Sequence, residues 1–218
     1  MITVLADKKT DGIGQAVYNK LTETGCDVKY FALDKMDVKP CYGCGGCSEK
    51  TYKRCVVRDD ADIILPYVAQ SEYVVLITAI TYGSYSFLSK RIVDKFAMLG
   101  DVHYRSKNGE IVKDIKASCH FKYYVAGVDF GVGDTEKQAF ERLVCENLLI
   151  AGWDGKPIVV FSDPISGIDA SGVIASEINF SNKNGVQNMS ARPGSKSNLR
   201  AGTRVGASDL ILKEIFGI

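Results

Sequence analysis

The hydrophobic positions of the chain alternate between two rhythms. Ile2 to Ala6 is a short apolar run that breaks into Asp7-Lys8-Lys9-Thr10-Asp11-Gly12, after which Ile13, Val17 and Leu21 recur at helical spacing until Gly25. This predicts strand, loop, helix. Val28 to Leu33 is a second strand. Beyond a cysteine-rich segment, Asp59 is placed to cap a helix with Ala61, Ile64, Leu65 and Val68 on its inner face, and Pro66 predicts a kink or a late start. Glu72 to Ile80 is almost continuously apolar and β-branched, as in a strand covered on both faces of a parallel sheet. A helix follows, with Leu88, Ile92, Phe96 and Leu99 on one stripe. Lys107-Asn108-Gly109 lies between short extended runs and reads as a small hairpin inserted within residues 101–119. Phe121 to Val128 is the fourth sheet strand, Thr135 to Ala151 a helix, and Pro157 to Phe161 the fifth.

Strands that alternate with helices predict an α/β fold, a doubly wound, flavodoxin-like five-stranded parallel sheet of order 2-1-3-4-5 with helices on both faces. Ligands of such sheets sit beyond the carboxyl ends of the strands at the switch point, so the loops after strands one, three and four are the expected site. The cysteine loop after strand two belongs to the same rim. Periodicity fades beyond residue 162. Residues 1–162 therefore form the expected sheet domain and residues 163–218 an extension rich in Ser, Asn and Gly. Lys183, Arg192, Lys196, Arg200 and Arg204 make the extension basic, either as an arm over a partner or a nicotinamide phosphate, or as a solvated tail; Ser208 to Phe216 predicts a short helix.

With 218 residues, 46% hydrophobic and 24% charged, the chain has an ordinary globular composition. Its net charge of +1 gives no global reason to expect nucleic acid or an anionic membrane, and no apolar run is long enough to span a bilayer. A cytoplasmic location is the expectation. Cys26, Cys119 and Cys145 are scattered singly and read as core residues. The other four of seven cysteines, Cys41, Cys44, Cys47 and Cys55, are spaced C-x2-C-x2-C-x7-C among Gly43, Gly45 and Gly46. Such crowding allows a 4Fe-4S cluster, a cysteine-lined lip over a ligand, or an inert loop, and suits zinc less well.

The loop Thr81-Tyr82-Gly83-Ser84-Tyr85-Ser86 offers amides, hydroxyls and two rings, which suits a flat heteroaromatic ligand with polar edges. Two stretches, VKPCYGCGGCSEKTYKRCVVRDDADIIL and VVLITAITYGSYSFLSKRIVDKF, resemble the NADPH-dependent FMN reductase family of flavodoxin-like proteins, including its iron–sulfur flavoprotein branch. The resemblance implies an FMN-dependent oxidoreductase that takes electrons from NAD(P)H, passes them to a small-molecule or protein acceptor, and assembles as a homodimer or homotetramer. Catalysis would be centred on the flavin. FMN contacts are then expected from Lys8, Lys9, Thr10, Gly12, Ile13 and Gly14 at the phosphate, from Thr78, Ala79, Ile80, Thr81, Tyr82, Gly83, Ser84 and Tyr85 at the ring, and from Asp129 and Gly131 at its other edge. Cys41, Cys44, Cys47 and Cys55 would hold the cluster of an iron–sulfur flavoprotein or line the pocket of a cluster-free reductase.

The first loop departs from the family pattern. Where relatives carry serine and a later hydroxyl, this chain has Asp7 and Gly14. Two readings follow: the loop holds a phosphate through Lys8, Lys9, Thr10 and the amides around Gly12 to Gly14, or Asp7 or Asp11 caps the helix, the loop holds no anion and the scaffold is a binding or regulatory module.

Overall fold

The computed structural model describes residues 1–114, 119–161, 171–172 and 174–175. β1 (Ile2–Ala6), β2 (Val28–Ala32), β3 (Tyr73–Ala79), β6 (Lys122–Asp129) and β7 (Asp154–Phe161) form one parallel sheet in the order β2-β1-β3-β6-β7. Counted along the sheet, this is the predicted 2-1-3-4-5 pattern. β4 (Tyr104–Lys107) and β5 (Glu110–Lys113) pair with each other in an antiparallel hairpin outside this sheet. Its two-residue turn is Asn108-Gly109, both at positive φ (56° and 84°), as a hairpin turn of this type requires.

Among the described residues the named α-helices are α1 (Asp11–Glu23), a single turn α2 (Gly46–Glu49), α3 (Ala61–Gln70), α4 (Phe87–Lys95) and α5 (Asp134–Ala151). α3 begins directly after the aspartate pair and runs through Pro66, so the late start expected there does not occur.

β3 is buried at all of its positions because both faces are covered. On one face Val4, Tyr73, Val75, Ile77, Tyr124 and Val128 pack with Val17 and Leu21 of α1. Ile174, in the expected extension, is fully buried and joins this cluster. On the other face Leu5, Val74, Leu76, Tyr123 and Val125 meet Ile64 and Val68 of α3, Ile92 of α4, and Phe140 and Val144 of α5. The predicted basic arm and the helix at residues 208–216 lie outside the described residues. No helix among the described residues is long and apolar enough to cross a membrane.

Candidate functional site

β1 ends at Ala6 opposite Ile77 of β3, so Asp7 emerges beside the next two residues of β3. This register decides the first loop. The Asp7 side chain turns inward: one carboxylate oxygen accepts from the amides of Lys9 (2.8 Å) and Thr10 (3.0 Å), the other from the amide of Ala79 (2.9 Å) and the hydroxyl of Thr78 (3.2 Å). It thereby ties the ends of β1 and β3 together at the switch point of the sheet. The residue is 2% exposed.

Thr10 is fully buried, and its hydroxyl donates to the Ile77 carbonyl at 2.7 Å, so the hydroxyl is turned away from any phosphate. Gly14 is a packing glycine: a Cβ there would lie 2.5 Å from the Cβ of Ala6 and 3.0 Å from the Tyr30 ring. Asp11 opens α1 and accepts a bond from the Tyr30 hydroxyl, whose pKa is raised, first by burial and then by the Asp11 carboxylate. Of the residues expected at the phosphate, Lys8, Lys9 and Gly12 are exposed at the rim and Ile13 is half-buried.

The loop after β3 is similarly divided. Thr78, Ala79 and Ile80 are buried; Thr78 also accepts from the Ser86 amide, and the Ile80 amide donates to the Val128 carbonyl of β6. Thr81 and Ser84 close a tight turn through reciprocal main-chain bonds of 2.9 and 3.0 Å. At its tip Tyr82 is 94% exposed at a φ of 50°. Gly83, also at positive φ, sits where a Cβ would come 2.8 Å from Ala139 of α5, so the turn is pressed onto that helix.

Tyr85 points the other way. It packs edge-on against Phe140, its hydroxyl accepts from Asn147 at 3.0 Å, and burial raises its pKa. A ring-stacking role for Tyr85 is therefore corrected to a core role, which leaves Tyr82 as the accessible ring of this loop.

At the end of β6, Asp129 is buried and accepts from the amides of Gly131 and Val132, both at 2.7 Å, with Lys137 at 3.2 Å. Burial pushes its carboxyl up, but these bonds outweigh it and hold the pKa below the usual range. Asp129 thus shapes the loop after β6 from within, while Gly131 is exposed at a φ of 97°. Phe130, an exposed ring that the residue pattern did not single out, projects from the same loop, and the Lys9 ammonium lies 6.0 Å from its centre. Lys9, Phe130 and Tyr82 occupy three neighbouring loops beyond β1, β6 and β3.

The cysteine segment leaves the sheet edge as a long loop closed at its neck. The amide of Asp37 donates to the Asp60 carboxylate and that of Lys39 to Asp59, each at 2.7 Å. Asp59 also pairs with Lys95 of α4, both side chains being 1% exposed. The aspartate pair after the last cysteine is therefore a clasp for the loop. Within it, the Lys53 amide donates to the Cys47 carbonyl at 2.7 Å, and Gly46 packs under Val56. Cys47 and Cys55 are half-buried against the core, whereas Cys41 and Cys44 are exposed. Among the described residues no three His, Cys, Asp or Glu side chains converge as a metal site.

Two cavities of about 300 Å³ lie away from the loops after β1, β3 and β6. One runs between Arg54, Arg58 and α3, with Met98 and Leu99 at its base. The other lies between α4 and α5 beside Trp153.

No family model matches the chain. It is 27% identical over 77 residues to an iron–sulfur flavoprotein of Methanocaldococcus jannaschii, a match covering 35% of this chain and 39% of that protein. The match thus spans well under half the length of that relative. Among solved structures, it shares its fold with a candidate quinone reductase from Klebsiella pneumoniae (TM-score 0.60, 11% identity, 82% of this chain and 84% of the other). An FMN-dependent NADH-azoreductase from Bacillus anthracis, in complex with FMN, has a TM-score of 0.55 at 11% identity over 82% of this chain and 97% of the other. The fold is the α/β flavodoxin-like one, and the resemblance read from the two sequence stretches agrees with these relatives.

Proposed function

We propose that the chain is a flavin-dependent oxidoreductase of the flavin reductase type, taking electrons from NADH or NADPH and passing them to a small-molecule or protein acceptor, as a homo-oligomer in the cytoplasm. The observation that carries this reading is the pair of exposed rings, Tyr82 and Phe130, in the adjacent loops after β3 and β6, beside the switch point of the sheet. The named activities of proteins that share the fold agree with it.

The ring end of FMN fits what the rim offers. Tyr82 presents a free face, and the Thr81–Ser84 turn fixes it by main-chain bonds and by the contact of Gly83 with α5. The phosphate end fits less well, because Asp7 has taken the Lys9 and Thr10 amides and Thr10 has turned its hydroxyl inward. Lys8, Lys9 and the exposed main chain at Gly12 are what remains for an anion. A bound flavin would supply the hydride chemistry; the chain positions the ring and sets the charge around it.

A second reading, an iron–sulfur flavoprotein with a 4Fe-4S cluster on Cys41, Cys44, Cys47 and Cys55, is favoured by the similarity to the Methanocaldococcus protein. The loop as folded does not fit a cluster: Cys47 and Cys55 face the core while Cys41 and Cys44 face out. It would have to reorganise around the metal.

The test is an anaerobic preparation supplied with flavin, followed by its visible spectrum, iron and sulfide content, and oxidation of NADH and NADPH. Flavin-dependent nicotinamide oxidation without iron supports the first reading. Iron and sulfide near four per chain would replace it with the second. A protein that neither perturbs the flavin spectrum nor oxidises either nicotinamide would refute both.

A further inference from the structure

The first loop of a doubly wound sheet ordinarily meets a ligand's anionic group with amides and a helix N-terminus. Here two amides of that loop, those of Lys9 and Thr10, are already engaged. A carboxylate offers about four lone-pair sites, and Asp7 uses both oxygens: the Lys9 and Thr10 amides on one, the Ala79 amide and Thr78 hydroxyl on the other. Three of these four donors are main-chain N–H groups, and they come from both sides of the switch point. This is the donor set of an anion cradle, with its anion attached to the chain.

Asp11 adds to the effect. It lies in the first turn of α1, where a negative charge complements the helix dipole, and it is fixed by the Tyr30 hydroxyl and a Lys35 ammonium 3.8 Å away. The α1 N-terminus thus has two carboxylates of its own. A phosphate brought there would meet them both, offset by Lys8 and Lys9 in solvent, where charge pairs are screened.

We propose that Asp7 is a built-in substitute for the flavin phosphate, so that this site selects its ligand by the isoalloxazine ring and accepts a flavin without a phosphate, riboflavin or lumiflavin, as readily as FMN. The inference rests on the flavin reading above and makes Asp7 a specificity-determining residue. It does not touch the reacting ring. Its consequence is that the flavin is bound from one end only and exchanges with free flavin, as a substrate does.

The test titrates the full chain into riboflavin and FMN in parallel, reading flavin fluorescence, and repeats the FMN titration in the presence of inorganic phosphate. A phosphate gripped by two or more charge-assisted bonds would favour FMN by roughly a hundredfold. The expected preference is below about tenfold, with no displacement by inorganic phosphate. A larger preference for FMN overturns the inference while leaving flavin binding intact; no quenching by either flavin overturns the flavin reading and this inference with it. Asp7→Ser, which empties the cradle, is expected to raise the preference for FMN over riboflavin by about tenfold. An unaltered ratio in that variant would also overturn it. Should the variant not fold, the wild-type ratio still decides.

Discussion

Replacing Lys95 by Met tests how the cysteine loop is anchored. Lys95 Nζ meets the Asp59 carboxylate where both side chains are 1% exposed, and the pair joins α4 to the neck of the loop. Methionine keeps most of the apolar stem and removes the charge, so the variant reports on the pair more than on packing. Breaking a buried pair from one side costs about 3–5 kcal/mol, because the remaining charge is left without its partner. Asp59 would retain the Lys39 and Ala61 amides, at 2.7 and 3.0 Å, which places the loss near the lower end, about 3 kcal/mol. With a urea slope of about 2 kcal/mol per molar, the unfolding midpoint falls by about 1.5 M.

The pH dependence carries a definite sign. Burial raises the Asp59 carboxyl, but Lys95 and the two amides more than offset it, so its folded pKa lies below the usual value. The stabilisation is present above the unfolded value of about 3.9 and is lost as pH falls through the depressed folded value. The gap between wild type and Lys95→Met should therefore narrow as the pH drops below about 4. Adding Asp59→Asn to Lys95→Met should recover part of the loss, because no buried charge is then left alone. A midpoint shift equivalent to less than about 1 kcal/mol, the range of an exposed ion pair, would refute the reasoning.

Other substitutions separate structural from ligand-facing roles. Gly14→Ala puts a Cβ 2.5 Å from Ala6 and should cost about 1–3 kcal/mol in chemical denaturation, an effect a purely phosphate-facing glycine would not show. Tyr85→Phe removes the hydroxyl that Asn147 bonds and should lower stability by about 1 kcal/mol, with unchanged flavin affinity by titration. Asp7→Asn sets an amide donor against the amide of either Ala79 or Lys9 and Thr10; thermal unfolding should show a loss of about 1–3 kcal/mol.

The sheet was legible because its strands carry unambiguous patterns. Glu72 to Ile80 is apolar on both faces, and Asn108-Gly109 admits little but a hairpin turn. The loops were harder, since periodicity says nothing about which way a loop side chain points. Tyr82 and Tyr85 look equivalent in TYGSYS, and only Phe140 and Asn147 on α5 make one of them core. Asp7 had a local signal: an aspartate followed by Lys9 and Thr10 has the spacing of a side-chain-to-amide turn. Its bonds to Thr78 and Ala79 had none, because they depend on the register of β1 against β3. Lys95 likewise sits three residues beyond Ile92 on the buried stripe of α4, yet its partner lies 36 residues away. The described fold brings Cys47 and Cys55 to the core and leaves Cys41 and Cys44 outside, a division that the spacing of the four does not contain.

The central claim is that a flavin ring lies against the turn after β3, and Tyr82→Ala tests it most directly. At 94% exposure Tyr82 supports none of the core, so its removal should leave the unfolding curve unchanged. Loss of one aromatic contact of about 0.5–1.5 kcal/mol should weaken flavin binding roughly twofold to tenfold in a fluorescence titration. Flavin binding with the same affinity in wild type and variant would contradict the placement of the site.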